Sequence, residues 1–136
     1  MTSRWDALTE EVVHLFAHVA ERFNRDYEDA AAQFDLTPIQ AKVLMLAEEP
    51  TPMHQIADRL GSERSNVTGI VDRLEARGLV RREPDERDRR IKNVVLTSAG
   101  HEAARNVQRE LHFAAEPLAG LTVAERTQLR DLLRRL

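Results

Sequence analysis

The chain has 136 residues, with 20 Lys and Arg against 23 Asp and Glu, which gives a formal net charge of −3 at pH 7. The absence of cysteine excludes disulfides, zinc–thiolate sites and thiol redox switches. No apolar run approaches the roughly 20 residues that a membrane-spanning helix needs, and the acidic first turns are unlike a signal peptide, so we expect a cytoplasmic protein without a membrane partner.

The first third of the chain predicts two helices. Residues 5–33 are expected to form one long helix, because apolar residues recur at steps of three and four. Those residues are Leu8, Val12, Leu15, Phe16, Val19 and Phe23. A second helix is predicted to begin at Thr37 and Pro38, where Gln40 completes a capping box. Residues 1–50 carry 4 Lys and Arg against 10 Asp and Glu, so this part of the chain is acidic.

The middle of the chain predicts a helix-turn-helix. Thr51 and Pro52 repeat the same start signal and predict a short helix that ends at Gly61, where a left-handed residue is favoured. Ser62 is expected to cap a further helix, which ends at Gly78. Two short helices with a tight connection are the layout of a DNA-binding helix-turn-helix.

The second helix of this pair has one apolar face and one polar face, as a DNA recognition helix does. Its apolar face is formed by Val67, Ile70 and Val71. The residues left facing outward are Ser65, Asn66, Thr68, Gly69 and Arg73. The major groove admits one helix, where Asn can pair with adenine and Ser or Thr with bases or phosphates. Glycine at position 69 costs about 1 kcal/mol relative to alanine in a helix. Its presence would be explained if the backbone there comes close to a partner. The alternative is a set of ordinary exposed polar positions.

A charged hairpin follows directly. Residues 79–83 and 91–96 are predicted strands, joined by a polar turn. The turn contains Arg87, Arg89 and Arg90. Residues 77–92 carry 7 Lys and Arg against 4 Asp and Glu, and arginine suits phosphates and narrow minor grooves. The alternative is a solvated loop held by internal ion pairs, but its place after the helix-turn-helix favours contact with DNA.

The last part of the chain predicts two more helices. Thr97 is expected to cap a helix over residues 98–116. Its inward residues would be Ala104, Val107, Leu111 and Ala114 or Ala115. Thr122 and Glu125 form another capping box, which begins a final helix with a leucine stripe.

The chain resembles the MarR family of transcriptional regulators. The resemblance rests on residues 36–44, 56–82 and 85–100. The family's wing motif, D-x-R before a strand that ends in Leu-Thr, is matched by Asp88, Arg90, Leu96 and Thr97. Glu86 departs from the pattern, because the family usually has proline there.

This resemblance implies a mainly α fold with a small β-hairpin, in one domain over residues 1–136. A winged helix-turn-helix lobe would occupy about 36–97, and residues 1–33 and 98–136 would form the dimerisation region. The implied function is a sequence-specific regulator of transcription, a repressor, that binds double-stranded DNA. It would bind a pseudo-palindromic operator as a homodimer, with release by a small-molecule effector.

The resemblance also assigns residues to the DNA. Arg90 would enter the minor groove and Asp88 would hold it in place. Together with the polar helix face, the expected DNA-binding residues are Arg64, Ser65, Asn66, Thr68, Gly69, Arg73, Arg87, Asp88, Arg89 and Arg90.

A small phenolic or anionic effector would bind between the dimerisation region and the DNA-binding lobe. The candidate wall of this pocket on the first helix is formed by Trp5, His14, Phe16, His18 and Arg22. His14 and His18 share a helical face at the spacing of a metal chelate. No cysteine or acidic cluster accompanies them, so neither a metal nor a cofactor is expected.

Catalysis has little support, because the chain has no G-x-S-x-G motif, no phosphate-binding glycine loop and no cysteine. We therefore expect no enzyme. Two alternatives stay open: a winged-helix module that docks a protein, and a protein that buffers a ligand or a metal.

Overall fold

The computed structural model describes residues 4–62 and 64–136 of the chain, with the side chain of Arg64 left out. In chain order the elements are α1 (Ala7–Ala32), α2 (Pro38–Leu46), β1 (Thr51–Pro52), α3 (Met53–Leu60), α4 (Arg64–Ala76), β2 (Val80–Pro84), β3 (Lys92–Leu96), α5 (Ser98–Glu110), a 3₁₀ turn (Phe113–Ala115) and α6 (Val123–Leu133). The mainly α fold with a small hairpin is confirmed. No helix within the described ranges combines the length and apolar character that crossing a membrane requires.

Local signals in the sequence start several of these elements where they were predicted. The N–H of Gln40 donates to Thr37 Oγ1 at 3.2 Å, and the N–H of Thr37 donates to Gln40 Oε1 at 3.1 Å, so the predicted capping box is present. The box of Thr122 and Glu125 forms in the same way. Gly61 ends α3 with a φ of 63°, in the left-handed region that favours glycine.

The predicted helix start at Thr51 is wrong. Thr51 lies in β1, where it pairs with Val94, and its hydroxyl donates toward the carbonyl oxygens of Glu49 at 2.7 Å and Leu46 at 3.1 Å. The hydroxyl thus satisfies one backbone acceptor at the end of α2 and one in the loop that follows, and α3 begins after Pro52 without a side-chain cap. The hairpin is therefore extended by β1 to a three-stranded sheet, which the sequence pattern did not indicate. The predicted cap of α4 by Ser62 depends on the start of that helix next to residue 63, which is outside the described residues, so it stays a prediction.

The helix predicted over residues 98–116 ends early, at Glu110. Asp26 on α1 explains the break, because its Oδ2 accepts the N–H groups of His112 at 2.9 Å and Ala114 at 2.8 Å. These bonds hold the 3₁₀ turn against α1 and satisfy backbone donors that a continuous helix would have used. Ala114 is nevertheless buried, as predicted.

The core seats α4 against the rest of the lobe. The three strands form one antiparallel sheet in the order β1-β3-β2, with Val80 opposite Leu96. Side chains that are fully buried include Leu44, Ile56, Val67, Val71, Leu74, Val80, Val94 and Val107. Burying a large aliphatic side chain contributes roughly 1.5–3 kcal/mol, so the apolar face of α4 fixes this helix firmly. Its opposite face is left to solvent.

The start of α5 lies in close contact with the turn that leads into β2. Thr97 Oγ1 donates to the carbonyl oxygen of Gly78 at 2.6 Å, and the Thr97 N–H donates to that of Leu79 at 3.1 Å. A Cβ placed on Gly100 would lie 1.9 Å from the same Leu79 oxygen. Only glycine fits this contact between two backbones.

Replacing Gly100 by alanine is therefore expected to lower the free energy of unfolding by about 1–3 kcal/mol, the usual cost of overpacking. The loss should occur although alanine is the better helix former. Urea denaturation measures it. Gly120→Ala is the matched control, because a Cβ there meets no atom within 4 Å. Equal stability of the two variants would contradict the close contact.

Candidate nucleic-acid interface

The outer face of α4 presents the predicted polar residues to solvent. Ser65, Asn66, Thr68 and Arg73 are exposed, and Gly69 is half-buried. A Cβ on Gly69 would meet nothing within 4 Å, so packing inside the protomer does not require glycine there. Arg64 begins the helix, but its side chain, a predicted DNA contact, lies outside the described residues. An exposed polar helix face of this kind is suited to base edges and phosphates.

The loop between β2 and β3, residues 85–91, is an ordered turn built around Asp85. Its Oδ2 accepts the N–H groups of Arg87 and Asp88, each at 3.0 Å, and its Oδ1 accepts the side-chain amide of Asn93 at 3.0 Å. The Asn93 bond is the main reason that the pKa of Asp85 lies below its ordinary value of 3.8. We refer to β2, β3 and this loop as the wing.

Arg90 stands on the wing in a fixed orientation. Its Nε donates to Asp88 Oδ1 at 3.0 Å and its terminal nitrogen donates to Oδ2 at 3.1 Å, a two-point ion pair. This pair holds the pKa of the Asp88 carboxyl below its ordinary value of 3.8. The Arg90 side chain is 91% exposed. One edge of the guanidinium is thus held, and its other N–H groups are left for an external acceptor.

The predicted wing arginines lie together. Arg87 and Arg89 are exposed on the same loop as Arg90, and Glu86 is exposed beside them. The structure therefore brings Arg87, Asp88, Arg89 and Arg90 to one end of the sheet, as predicted. Asp85 and Asn93, which order the loop, were missed. A local signal for Asp85 was present, because an aspartate in a polar turn commonly accepts the backbone N–H two residues further on, as an Asx turn.

Arg82 on β2 is a further residue that the sequence reasoning missed. Its guanidinium donates to the carboxylates of Asp72 and Glu75 on α4, the latter at 3.0 Å, and toward the Thr68 carbonyl oxygen at 3.4 Å. The three acceptors follow the i, i+4, i+7 spacing of one helix face. Because strand side chains alternate, Arg82 shares the inward face of β2 with buried Val80.

Comparison with known proteins agrees with this geometry. A family model described as MarR family matches residues 34–91. The transcriptional repressor MprA of Escherichia coli (strain K12) is 31% identical over 132 residues, which cover 95% of this chain and 74% of MprA. The chain belongs to the MarR family. This confirms the resemblance found in the sequence and makes the chain a member of a family of transcriptional regulators.

Solved structures of the MarR fold superpose on nearly the whole chain. CouR from Rhodococcus jostii RHA1, bound to p-coumaroyl-CoA, has a TM-score of 0.78 and 28% identity over 96% of this chain and 94% of CouR. The regulator BldR from Sulfolobus solfataricus has a TM-score of 0.67 and 28% identity over 95% and 94% of the two chains. The winged-helix fold class is thereby confirmed.

The five residues predicted as the wall of an effector pocket do not form one cavity within this MarR-family protomer. His14 and His18 line a shallow groove on α1, whereas Trp5 and Phe16 are exposed outside it. Arg22 lies over the Phe113 ring, with its guanidinium carbon 4.0 Å from the centroid. Among residues 4–62 and 64–136, no three His, Asp or Glu side chains are grouped for a metal ion.

A different cavity, of about 280 Å³, lies where α1, α2 and α3 meet. Its residues include Phe23, Tyr27, Lys42 and Arg59. Lys42 Nζ lies 5.5 Å from the Phe23 ring centroid and 5.4 Å from that of Tyr27, and it donates to Asn24 Oδ1 at 3.1 Å. Burial, more than the nearby carboxylates, raises the pKa of the Tyr27 phenol, which stays neutral. The sequence reasoning missed this cavity because its residues come from three separate elements.

The predicted helical stripe of α1 is left largely uncovered in the protomer. Its exposed members are Leu8, Val12, Leu15, Phe16 and Val19, which we call the apolar stripe. Leu132 and Leu133 of α6 are exposed as well. A contiguous exposed apolar surface of this kind marks an interaction site.

Proposed function

We propose that this protein is a sequence-specific repressor of transcription that binds a pseudo-palindromic operator as a homodimer and is released by a small-molecule effector. The main support for this proposal is the state of Arg90 at the end of the wing. Its side chain is 91% exposed and yet is held by two hydrogen bonds to Asp88. A wing in this state suits the minor groove while α4 lies in the adjacent major groove. The relative MprA is named a transcriptional repressor, which supports repression rather than activation.

The charge distribution supports this assignment in spite of the net charge of −3. Residues 1–50 carry a net negative charge, with 4 Lys and Arg against 10 Asp and Glu, whereas residues 77–92 carry a net positive charge, with 7 against 4. Association with DNA responds to the local potential of the approaching surface. The outer face of α4 carries Ser, Asn, Thr, Gly and Arg rather than apolar residues, which favours DNA over a docked protein.

Binding to DNA from upstream of the protein's own gene tests the proposal. Fluorescence anisotropy across a salt series should show affinity falling by about a thousandfold or more between 50 and 200 mM salt, as expected for several neutralised phosphates. A shuffled duplex of the same length is the control. If the protein shows no salt-sensitive preference for the upstream DNA over the shuffled duplex, the proposal fails.

The homodimer is supported by the apolar stripe of α1 and the exposed leucines of α6. Both surfaces are exposed in the part of the protomer that the structure describes, and both flank the DNA-binding lobe in the chain. Most soluble homodimers pair through a twofold axis that buries the same patch on both copies. Such an axis would present two copies of α4 to half-sites about one helical turn apart.

The effector proposal is supported by the cavity between α1, α2 and α3. Two aromatic rings and two cations, Lys42 and Arg59, give it the chemistry to hold a small aromatic anion. The related protein CouR was solved with p-coumaroyl-CoA, an aromatic acyl compound. The cavity therefore fits the phenolic or anionic class better than the shallow groove beside His14 and His18.

Lys42→Gln tests the location of the effector site. We expect p-coumarate to release the wild type from DNA, and the variant to need about tenfold more, since a hydrogen bond to a charged group contributes about 1.5–3 kcal/mol. Anisotropy of the labelled operator measures the release. His18→Gln is the control in the other groove. A shift in His18→Gln rather than Lys42→Gln would move the site to the groove beside His14 and His18.

A further inference from the structure

Arg82 connects the wing to α4 at a point between the two proposed DNA-contacting surfaces. Its guanidinium is directed at α4 from β2, where it meets Thr68, Asp72 and Glu75. The Arg82 side chain is 23% exposed, far less than Asp72 at 61% or Glu75 at 44%. The residue is therefore packed between strand and helix rather than extended toward solvent.

This contact is suited to fixing an orientation. A guanidinium is planar with its N–H donors in a rigid fork, so bonds to three acceptors on successive turns constrain both the height and the tilt of the strand. The covalent connection between α4 and β2 runs through Gly78, whose φ of 74° is a turn conformation. The hydrogen bonds of Arg82 connect β2 to α4 across the angle between these two elements.

The register of the hairpin carries the constraint from Arg82 to the tip of the wing. Arg82 pairs with Val94, and two residues further along, Pro84 pairs with Lys92 at the edge of the loop. Asp85 then orders the loop that carries Arg90. A displacement of β2 on α4 would therefore displace Arg90 relative to Ser65 and Asn66.

We propose that Arg82 is a positioning residue for DNA binding, which holds the wing at the distance from α4 that lets both contact one duplex. The inference rests on the proposed function, because it concerns how the two surfaces act together. Arg82 is assigned no DNA contact of its own. Its effect on affinity passes through the wing and hence through Arg90.

A double-mutant cycle tests this assignment. Arg82→Gln should weaken operator binding by about as much as Arg90→Ala, roughly tenfold to a hundredfold, because residues of one network couple by up to about 3 kcal/mol. Arg90→Ala should then cost little more in the Arg82→Gln protein, because the wing is already misplaced. Arg81→Gln is the matched control. It removes the same charge from the same strand, but Arg81 pairs with Glu83 on the other face of β2 and is 52% exposed. Its effect should be small and should add to that of Arg90→Ala.

A neutral triple variant separates positioning from charge. Arg82→Gln combined with Asp72→Asn and Glu75→Gln removes the network and replaces all three charges by neutral amides. The net charge of the triple variant is one unit more positive than that of the wild type, whereas Arg82→Gln alone is one unit more negative. If Arg82 acted only by neutralising these carboxylates, the triple variant would regain wild-type affinity or exceed it. We expect it to bind as weakly as Arg82→Gln at salt concentrations that screen long-range charge.

A distance measurement provides a readout that does not need DNA. The chain has no native cysteine, so spin labels can be placed at Ser65→Cys on α4 and Glu86→Cys on the wing. Labelled protein diluted with unlabelled protein keeps one labelled copy in each dimer. The distance distribution should be narrow in the wild type and Arg81→Gln, and broad in Arg82→Gln. Asp72→Asn with Glu75→Gln provides the same test from the helix side if Arg82→Gln does not fold.

The outcomes are distinct. Additive losses from Arg82→Gln and Arg90→Ala, recovery in the triple variant, or an unchanged distance distribution would each overturn the positioning role. If the wild type itself shows no salt-sensitive preference for its upstream DNA, the proposed function fails instead, and the distance measurement still reports whether Arg82 orders the wing.

Discussion

Arg90→Ala is expected to weaken operator binding by about tenfold to a hundredfold, the usual cost of losing an arginine that contacts DNA directly. The physical reason is the state of its side chain, which is exposed to solvent and oriented by Asp88 before DNA arrives. Little rotamer entropy then remains to be lost on binding. Anisotropy titration of the operator measures the effect, with unfolding by urea as a check that the fold is unchanged.

Asp88→Asn tests whether orientation of Arg90 or the charge of the wing controls the affinity for DNA. The substitution removes a negative charge from the wing, so charge alone predicts tighter binding to DNA. We expect weaker binding instead, because an amide has one oxygen and cannot accept the two-point pair with Arg90. Glu86→Gln is the matched control, since it removes the same charge from an exposed position on the same loop. Tighter binding by both variants would show that Asp88 does not position Arg90.

The carboxylates of Asp85 and Asp88 on the wing are not expected to make binding pH-dependent near neutrality. The pKa values of Asp85 and Asp88 are depressed below 3.8, by Asn93 and Arg90 respectively. For a depressed carboxyl, the stabilisation is fully present above the unfolded pKa and is lost as the pH falls through the lower folded value. The ordering of the loop is therefore expected to be complete at neutral pH and to be lost only as the pH falls below 3.8.

The second large effect is expected at the apolar stripe. Leu15→Glu should dissociate the dimer and lower operator affinity by about a hundredfold or more, because two linked half-site contacts become one. Leu15 is 59% exposed in the protomer, so the substitution should cost little stability within one copy. Sedimentation equilibrium measures the mass, and anisotropy measures the affinity.

Ala17→Glu is the control for this prediction. Ala17 is also exposed on α1, and the 100° step of the helix places it on the far side from Leu15 and Val19. We expect it to remain dimeric and to bind DNA. A Leu15→Glu protein that stayed dimeric with full affinity would remove the apolar stripe from the interface.

Much of the fold follows from signals that act over a few residues. The capping box of Thr37 and Gln40, the left-handed Gly61 and the apolar periodicity of α4 each depend on contacts within about one or two helical turns. Such contacts depend little on the rest of the chain, so a sequence pattern suffices to predict them. The same holds for the Asp88–Arg90 pair, whose partners are two residues apart.

Apart from the local turn at Asp85, the errors and omissions involve partners that are distant in sequence. Thr51 carried a helix start signal, but pairing with Val94 placed it in a strand. The helix that begins at Ser98 ended early because Asp26, 86 residues before His112, accepts its N–H group.

The sequence alone thus determined the helix-turn-helix, the wing motif and the family, because capping, periodicity and motif spacing are local properties of the chain. Only the tertiary structure decided how the wing is attached to α4 and where a cavity forms. Arg82 and the aromatic residues beside Lys42 meet groups from other elements. Which of many polar or apolar side chains come together depends on the packing of whole elements, and no spacing within one element specifies it.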